Sequence, residues 1–598
     1  MLRPLLGYAL LLPALLPVLG LLVYPALHAV ALSLTDSAGG RPYGTFVGLD
    51  NYSRLARDPV FWRAAANTVA LVGITAAVEL VAGVLTALLL WRKFWGRALV
   101  FFSVFVPWAF PATFSAFAWY WMLSPPFHTF YTLHLLALRW RLDDALGAGA
   151  WQVLSIATMS VWRGSSIIAV FLLAGFNAIP EELLDVGRLE ARGWRFFWYV
   201  VAPLSRGLLV FAGLVALVVT YVEYASMYVE TGGRITVPVL GTLAFRESVR
   251  NADLGLGAAL GVVQIPVALA VALWCLRQQP DRRRRPAGPP TGPPATTSGR
   301  SAVRQSARDV PTRRPGTGGF ALPRRARRAF AQVAALVAAV AVMVFHLLPI
   351  YYTGVQAFRS VEEYRIGNPF WVYDPVLEDV REVLANPILW RWALNTLVIF
   401  GITLLVGLTV SLLAGYALAR SRPRAGRPLA SAMFLTYFIP QTTVLVPVYQ
   451  LFHRWGLDDT LAGLVLLYLT LAVPFATWLF YTYFEGLSPD VEDHARLDGG
   501  RVRVFLRILL PMSWPVVAAA GLFAVGMMAS DVIYTSTFSL SHATKTLPGG
   551  LGLNALDLDE WAPANAAILF ASLPLISACA VLSPYYVRGL RAALLEGA

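Results

Sequence analysis

Two stretches of this 598-residue chain carry side chains that could do chemistry. One reads DVGRLEARGWRFFWYVVAP from Asp185 to Pro203, the other DHARLDGGRVRVFLRILLP from Asp493 to Pro511. Asp185, Arg188, Leu189, Arg195, Phe197 and Pro203 recur 308 residues later as Asp493, Arg496, Leu497, Arg503, Phe505 and Pro511. Hydrolysis of ATP would need a P-loop, whose backbone amides and Gly-Lys-Ser/Thr ending cradle phosphates. The only two lysines, Lys93 after Arg92 and Lys545 after Thr544, complete no such motif. His-Glu-x-x-His is absent, as is any Cys/His run with metal-ligand spacing, so the chain itself is expected to hold no ATP, metal or other cofactor. The chemistry left to the two stretches is recognition: polar helices presented to a partner.

The rest of the chain explains why such helices stand out. It is 57% hydrophobic and 14% charged, against about 25% charge in soluble proteins. Twelve apolar runs are long enough to cross a bilayer, which takes roughly 20 residues. Each is read as one continuous span, including 98–122, 203–228 and 429–452. The first run is too long for a signal peptide and is read as a retained span. Cys275 and Cys579 lie in apolar runs and fit core packing better than a disulfide or metal site.

The net charge of +14 is concentrated. Fourteen arginines against Asp281 and Asp309 put +12 between Arg277 and Arg328. That segment is rich in Pro, Gly and Ser and reads as a solvated tether, not as a nucleic-acid surface. Its basicity places it in the cytoplasm. It divides the chain into 1–276, a 277–328 linker and 329–598, with six spans on each side. WRAAANTVALVGIT at 62–75 matches WRWALNTLVIFGIT at 390–403 at eight of fourteen positions, and the 308-residue offset also pairs Glu223 with Asp531 and Pro266 with Pro574. The chain is a fused duplicate. Even span numbers then place both termini, the linker and both charged stretches on the cytoplasmic side, with the acidic loop 353–391 outside.

Each charged stretch falls between the fourth and fifth span of its half. IPEELLD opens the first with a proline and carboxylates suited to a helix start, and a helix end is expected near Ala191 or Gly499-Gly500. Gly499 permits a tight turn or a close backbone approach. A short helix lying across the cytoplasmic face, present twice, suits a partner that is itself a pair.

At these residues the sequence resembles the EAA loop of binding-protein-dependent ABC importer permeases: Glu-Ala-Ala, three residues, Gly, then hydrophobic-Pro. The second copy offers Asp493-His494-Ala495, Asp498-Gly499 and Leu510-Pro511. The first offers Asp185-Val186-Gly187, Glu190-Ala191 and Ala202-Pro203, with Gly193 close to the position where Ala191 replaces the family glycine. FVGLDNYSRLARDPVFWRAAANT (46–68) is similar to the maltose F-type subunit, while PVYQLFHRWGLDDTLAGLVL (447–466) and YYVRGLRAALLEGA (585–598) resemble the maltose G type. The resemblance implies an all-α polytopic membrane protein with two six-helix halves of the type I importer permease fold, in a bacterial cytoplasmic membrane. It further implies two copies of a cytoplasmic ATPase that bind the ATP, an extracytoplasmic solute-binding protein, and a sugar or similar polar solute. ATPase docking then falls to Asp185, Arg188, Glu190, Ala191, Gly193, Pro203, Asp493, Arg496, Asp498, Gly499 and Pro511.

Glu79, Glu223 and Asp531 lie in apolar runs, where a charge at mid-depth costs roughly 2.5–3.5 kcal/mol. Glu223 and Asp531 are candidates for the solute path or the seam between halves, and Glu79 for helix locking. The alternative architecture, a secondary transporter of the major facilitator kind, also has six plus six spans but runs on buried ions and needs no repeated docking helix.

Overall fold

The computed structural model describes residues 2–39, 41, 44–123, 150–177, 179–191, 193–230, 237–277, 324–360, 363, 370–421, 425–495, 500–554 and 561–594. The linker interior and Arg192, Arg496, Asp498 and Gly499 therefore lie outside the described residues. Helices account for nearly all the rest. In chain order the membrane-crossing segments are span 1 (Gly7–Ser33), span 2 (Pro59–Trp91), span 3 (Arg97–Ala109 and Ala112–Trp119), span 4 (Ile156–Phe176), span 5 (Trp194–Leu204 and Arg206–Val218) and span 6 (Leu254–Val271). The second set is span 7 (Gln332–Gln356), span 8 (Pro387–Arg420), span 9 (Gly426–Thr436 and Gln441–Trp455), span 10 (Leu461–Gly486), span 11 (Val502–Ala529) and span 12 (Pro563–Gly589).

Burial is inverted relative to a soluble protein. Leu16, Val69, Ile74, Leu397 and Leu405 are exposed on the spans, while Glu79, Arg163 and Ser166 are buried within the bundle. A chain solvated by lipid gains nothing by hiding leucine, and it must satisfy its polar groups internally.

Three of the runs read as single spans are bent. Span 3 turns by 100° at Phe110-Pro111, span 9 by 86° before Gln441, and span 5 by 87° at Ser205. The first two bends both fall at a proline, Pro111 and Pro440. Proline disfavours the helical region for its predecessor, and Phe110 is extended (φ −84°, ψ 120°); Pro440 itself starts the next helix with ψ 132°. Both breaks fall in the third span of a half.

The duplication recurs in the hydrogen bonding. Asp58 caps span 2 by accepting from Val60 N (2.8 Å), and Asn386 caps span 8 by accepting from Ile388 N (2.9 Å). The indole of Trp62 donates to Ala56 O, and that of Trp390 to Leu384 O. The Asn-Thr pair inside the matched sequence does the same work twice. Asn67 Nδ2 donates to Pro238 O while Thr68 accepts from Leu240 N; Asn395 Nδ2 donates to Ala543 O and Lys545 O while Thr396 accepts from Leu547 N. In each half the start of the second span thus holds the segment between spans 5 and 6, or 11 and 12.

Packing interleaves the halves. Span 2 lies along span 4, and span 8 along span 10. A methyl on Gly415 would fall 2.6 Å from Phe480 Cβ, so only glycine allows that approach of spans 8 and 10. Span 1 packs on spans 8 and 10 of the other half, and span 7 on span 3. Each half's first span therefore packs on the other half as well as on its own last span, span 1 on span 6 and span 7 on span 12.

Candidate functional site

The first charged helix, a docking candidate, runs Glu181–Glu190. Pro180 occupies the cap position rather than the first turn, and Glu181 and Glu182 complement the positive helix end. Leu184 and Gly187 face inward, and a methyl on Gly187 would sit 2.7 Å from Val200 Cγ1. The outward face is mixed. Asp185 and Arg188 pair at 2.7 Å in solvent, a contribution of about 0.3–0.5 kcal/mol for such an exposed pair. Beside them Leu183, Val186 and Leu189 form an exposed stripe at helical spacing, with Leu189 87% exposed. Glu190 is exposed, Ala191 is extended, and Gly193 takes φ +65°, the left-handed region that favours glycine. The glycine that the family pattern places at 191 is thus supplied two residues later, where the backbone needs it. The chain then runs through the short segment Trp194–Leu204, which contains Pro203, before turning at Ser205 into the long arm of span 5.

The second charged helix, Pro489–Ala495, is anchored differently. Asp493 faces outward. Its neighbour Glu492 is buried and accepts from Arg420 Nε at 2.5 Å and from Tyr416 Oη at 3.1 Å. Arg420, the last residue of span 8, also donates to Leu487 O (2.9 Å). Pro511 is exposed and lies in the first turn of the helix Leu510–Ala529. In the first half the 308-residue offset puts Leu184 where Glu492 stands, so that helix is held by apolar contact alone at this point.

The buried ions separate into different roles. Glu79 accepts from Thr220 at 2.7 Å, joining spans 2 and 5, and its carboxylate lies against Gly164, where a methyl would collide with it. This is a helix lock. Asp531 accepts from Tyr534 N and Thr535 N, each at 3.3 Å, and so caps the helix Ile533–Phe538. Glu223 belongs to the helix Arg206–Glu230, but its side chain lies outside the described residues.

Sequence reasoning missed the ion that faces the cavity. Arg163 in span 4 is buried and donates to Phe110 O (2.6 Å), Ser115 Oγ (3.2 Å) and, across the seam, Ser530 Oγ (2.7 Å). It thereby satisfies the carbonyl that the span 3 break releases. The cavity it borders is lined by Leu22, Trp108, Ala112, Ile167 and Val218 from the first half and by Thr436, Tyr437, Ile439, Gln441, Thr470, Leu471, Gly526, Met527, Ser530 and Tyr534 from the second. Both broken third spans, 3 and 9, open onto it. A lone arginine in an apolar run carries the same signal as Glu79, and that signal would have found it. Among the described residues no group of three or more His, Cys, Asp or Glu side chains is placed to hold a metal ion.

A helical bundle with two charged surface helices, two broken third spans and a cavity at its seam resembles the transmembrane permease component of an ABC importer. Residues 407–592 match the family described as binding-protein-dependent transport system inner membrane component. The chain is 28% identical over 261 residues to the trehalose transport system permease protein SugA of Mycobacterium tuberculosis, covering 43% of this chain and 83% of that one. It is 25% identical over 268 residues to the trehalose/maltose transport system permease protein MalG of Thermococcus litoralis (44% and 96%) and 27% identical over 279 residues to MalF of the same organism (46% and 92%). A solved bacterial ABC transporter involved in the import of the acidic polysaccharide alginate aligns with 45% of this chain and all of its own, at 20% identity and a TM-score of 0.40. Each of these relatives matches less than half of the chain, which is about twice their length and resembles a fused pair of such subunits.

Proposed function

We propose that the chain moves a sugar or related polar solute inward, delivered by an extracytoplasmic binding protein and driven by two cytoplasmic ATPase subunits. Residues 1–276 and 329–598 act as the two permease domains, tethered by the 277–328 linker. Both termini and the linker lie on the side of the docking helices. The observation that carries the reading is the cavity. It sits at the seam, both halves line it, and it combines aromatic faces at Trp108 and Tyr437 with Thr436, Gln441, Thr470 and Ser530. Hydroxyl-rich solutes need this mixture of flat apolar surface and polar partners. The relatives named above are trehalose and trehalose/maltose permeases, which supports a di- or oligosaccharide. Uptake of labelled trehalose, maltose and a polyol should be measured in vesicles containing the chain, its ATPase and its binding protein. ATP-dependent accumulation of at least one is expected; accumulation driven by a proton gradient without ATP would refute the reading.

Each ATPase subunit takes one docking helix, through Asp185, Arg188, Glu190, Ala191, Gly193 and Pro203 in the first half and Asp493, Arg496, Asp498, Gly499 and Pro511 in the second. The apolar stripe Leu183–Val186–Leu189 supports this, since a helix presented to the cytoplasm has no other reason to expose three large aliphatic side chains in register. Leu189→Glu is expected to leave the membrane domain folded and to cut ATPase recovery in pull-downs by at least half. Full recovery would remove this helix from the docking surface.

A further inference from the structure

Six buried aromatic rings cluster beside the seam cavity, on the same spans as its lining. Phe171 of span 4 stacks on Phe211 of span 5 with centroids 5.4 Å apart. Phe211 in turn stacks across the seam on Trp478 of span 10 at 5.4 Å and on Phe434 of span 9 at 6.1 Å, with planes within 24°. Trp478 and Phe434 lie 4.7 Å apart, and Phe475 stacks on Phe523 of span 11 at 3.8 Å. All six rings are buried.

Their positions along the spans share one sense. Spans 4 and 10 run toward the docking helices, and there Phe171 follows the lining residue Ile167 while Phe475 and Trp478 follow Leu471. Spans 5, 9 and 11 run away from the docking side, and there Phe211, Phe434 and Phe523 precede Val218, Thr436 and Gly526. Five spans therefore place their rings between the cavity and the docking helices.

We infer that this stack, centred on Phe211 and Trp478, is the gate that closes the solute path on the docking side; the inference rests on the cavity being that path. Buried apolar faces offer a hydrated polyhydroxy solute no hydrogen-bond partner, so the stack bars it while closed. Phe211 belongs to the first half, Phe434 and Trp478 to the second. Any movement that parts the halves at this level separates the rings, so opening is coupled to the seam rather than to one side chain's rotamer.

The test reads access and needs no transport. Met527, which lines the cavity, is replaced by cysteine in a chain whose Cys275 and Cys579 are alanine. A membrane-impermeant charged methanethiosulfonate is then added to vesicles with the docking side outward. Labelling is expected to be slow in this parent, at least tenfold faster with Trp478→Ala, and near the parent rate with Trp478→Phe. Phe211→Leu, which keeps most of the volume, provides a second opening variant should Trp478→Ala misfold, and lipid-facing Trp514→Ala serves as a control with parental rate. Fast labelling of the parent, or an unchanged rate in both opening variants, would overturn the gate while leaving ATP-driven uptake to be judged by its own assay.

Discussion

Replacing Arg163 with methionine is expected to abolish uptake and to lower the thermal midpoint of the purified protein by several degrees. Methionine keeps the apolar stem but removes every donor. Phe110 O then keeps, at a buried helix break, only the long 3.5 Å contact from Ser115 Oγ. An unsatisfied buried group costs about 1–3 kcal/mol, and bonds to a charged partner contribute about 1.5–3 kcal/mol each. The bond to Ser530 is also lost, and with it a polar link between the two halves at the cavity wall. Arg163→Lys keeps the charge without the planar fork and should recover stability better than transport. Uptake close to wild type in the methionine variant would show that Arg163 neither shapes nor holds the path.

The second large effect falls on coupling. Glu492→Ala should leave ATPase bound but reduce solute moved per ATP hydrolysed several-fold. Breaking a fully buried ion pair costs about 3–5 kcal/mol. The Arg420 side chain is 18% exposed, so the loss should lie at or below the lower end. What matters for transport is where the pair sits: it ties the second docking helix to the end of span 8. Without it the helix can move while the span stays behind. Leu184→Ala in the first half should act through packing and disturb coupling less. Restoration of the transport-to-hydrolysis ratio by the exchange Arg420→Glu with Glu492→Arg would separate a link from a merely structural contact. An unchanged ratio in Glu492→Ala would dismiss the link.

The spans and the duplicate were legible because both rest on local signals. Apolar run length reports a bilayer-crossing helix, and rare charges and prolines in register report a repeat. The bends were not legible. Pro107, Pro266, Pro349, Pro447 and Pro474 all sit inside continuous helices, whereas Pro111 and Pro440 mark breaks. The difference at Pro111 is tertiary: Arg163 from another span is placed to satisfy the carbonyl that the break exposes. Glu492 escaped notice for a related reason, since one glutamate among charged neighbours looks solvated until Arg420 of span 8 is brought beside it. Asp531 lies in the apolar run 511–536 of the sequence, yet span 11 ends at Ala529, the Asp531 carboxylate caps the following helix, and its neighbour Ser530 faces the cavity.

One chain is expected to supply both permease domains and both docking helices of an importer. The mass of the detergent-purified complex with its ATPase, measured by native mass spectrometry, tests it most directly. One copy of the chain with two ATPase subunits is the predicted composition. Two copies of the chain per complex, or a chain that retains no ATPase, would contradict it.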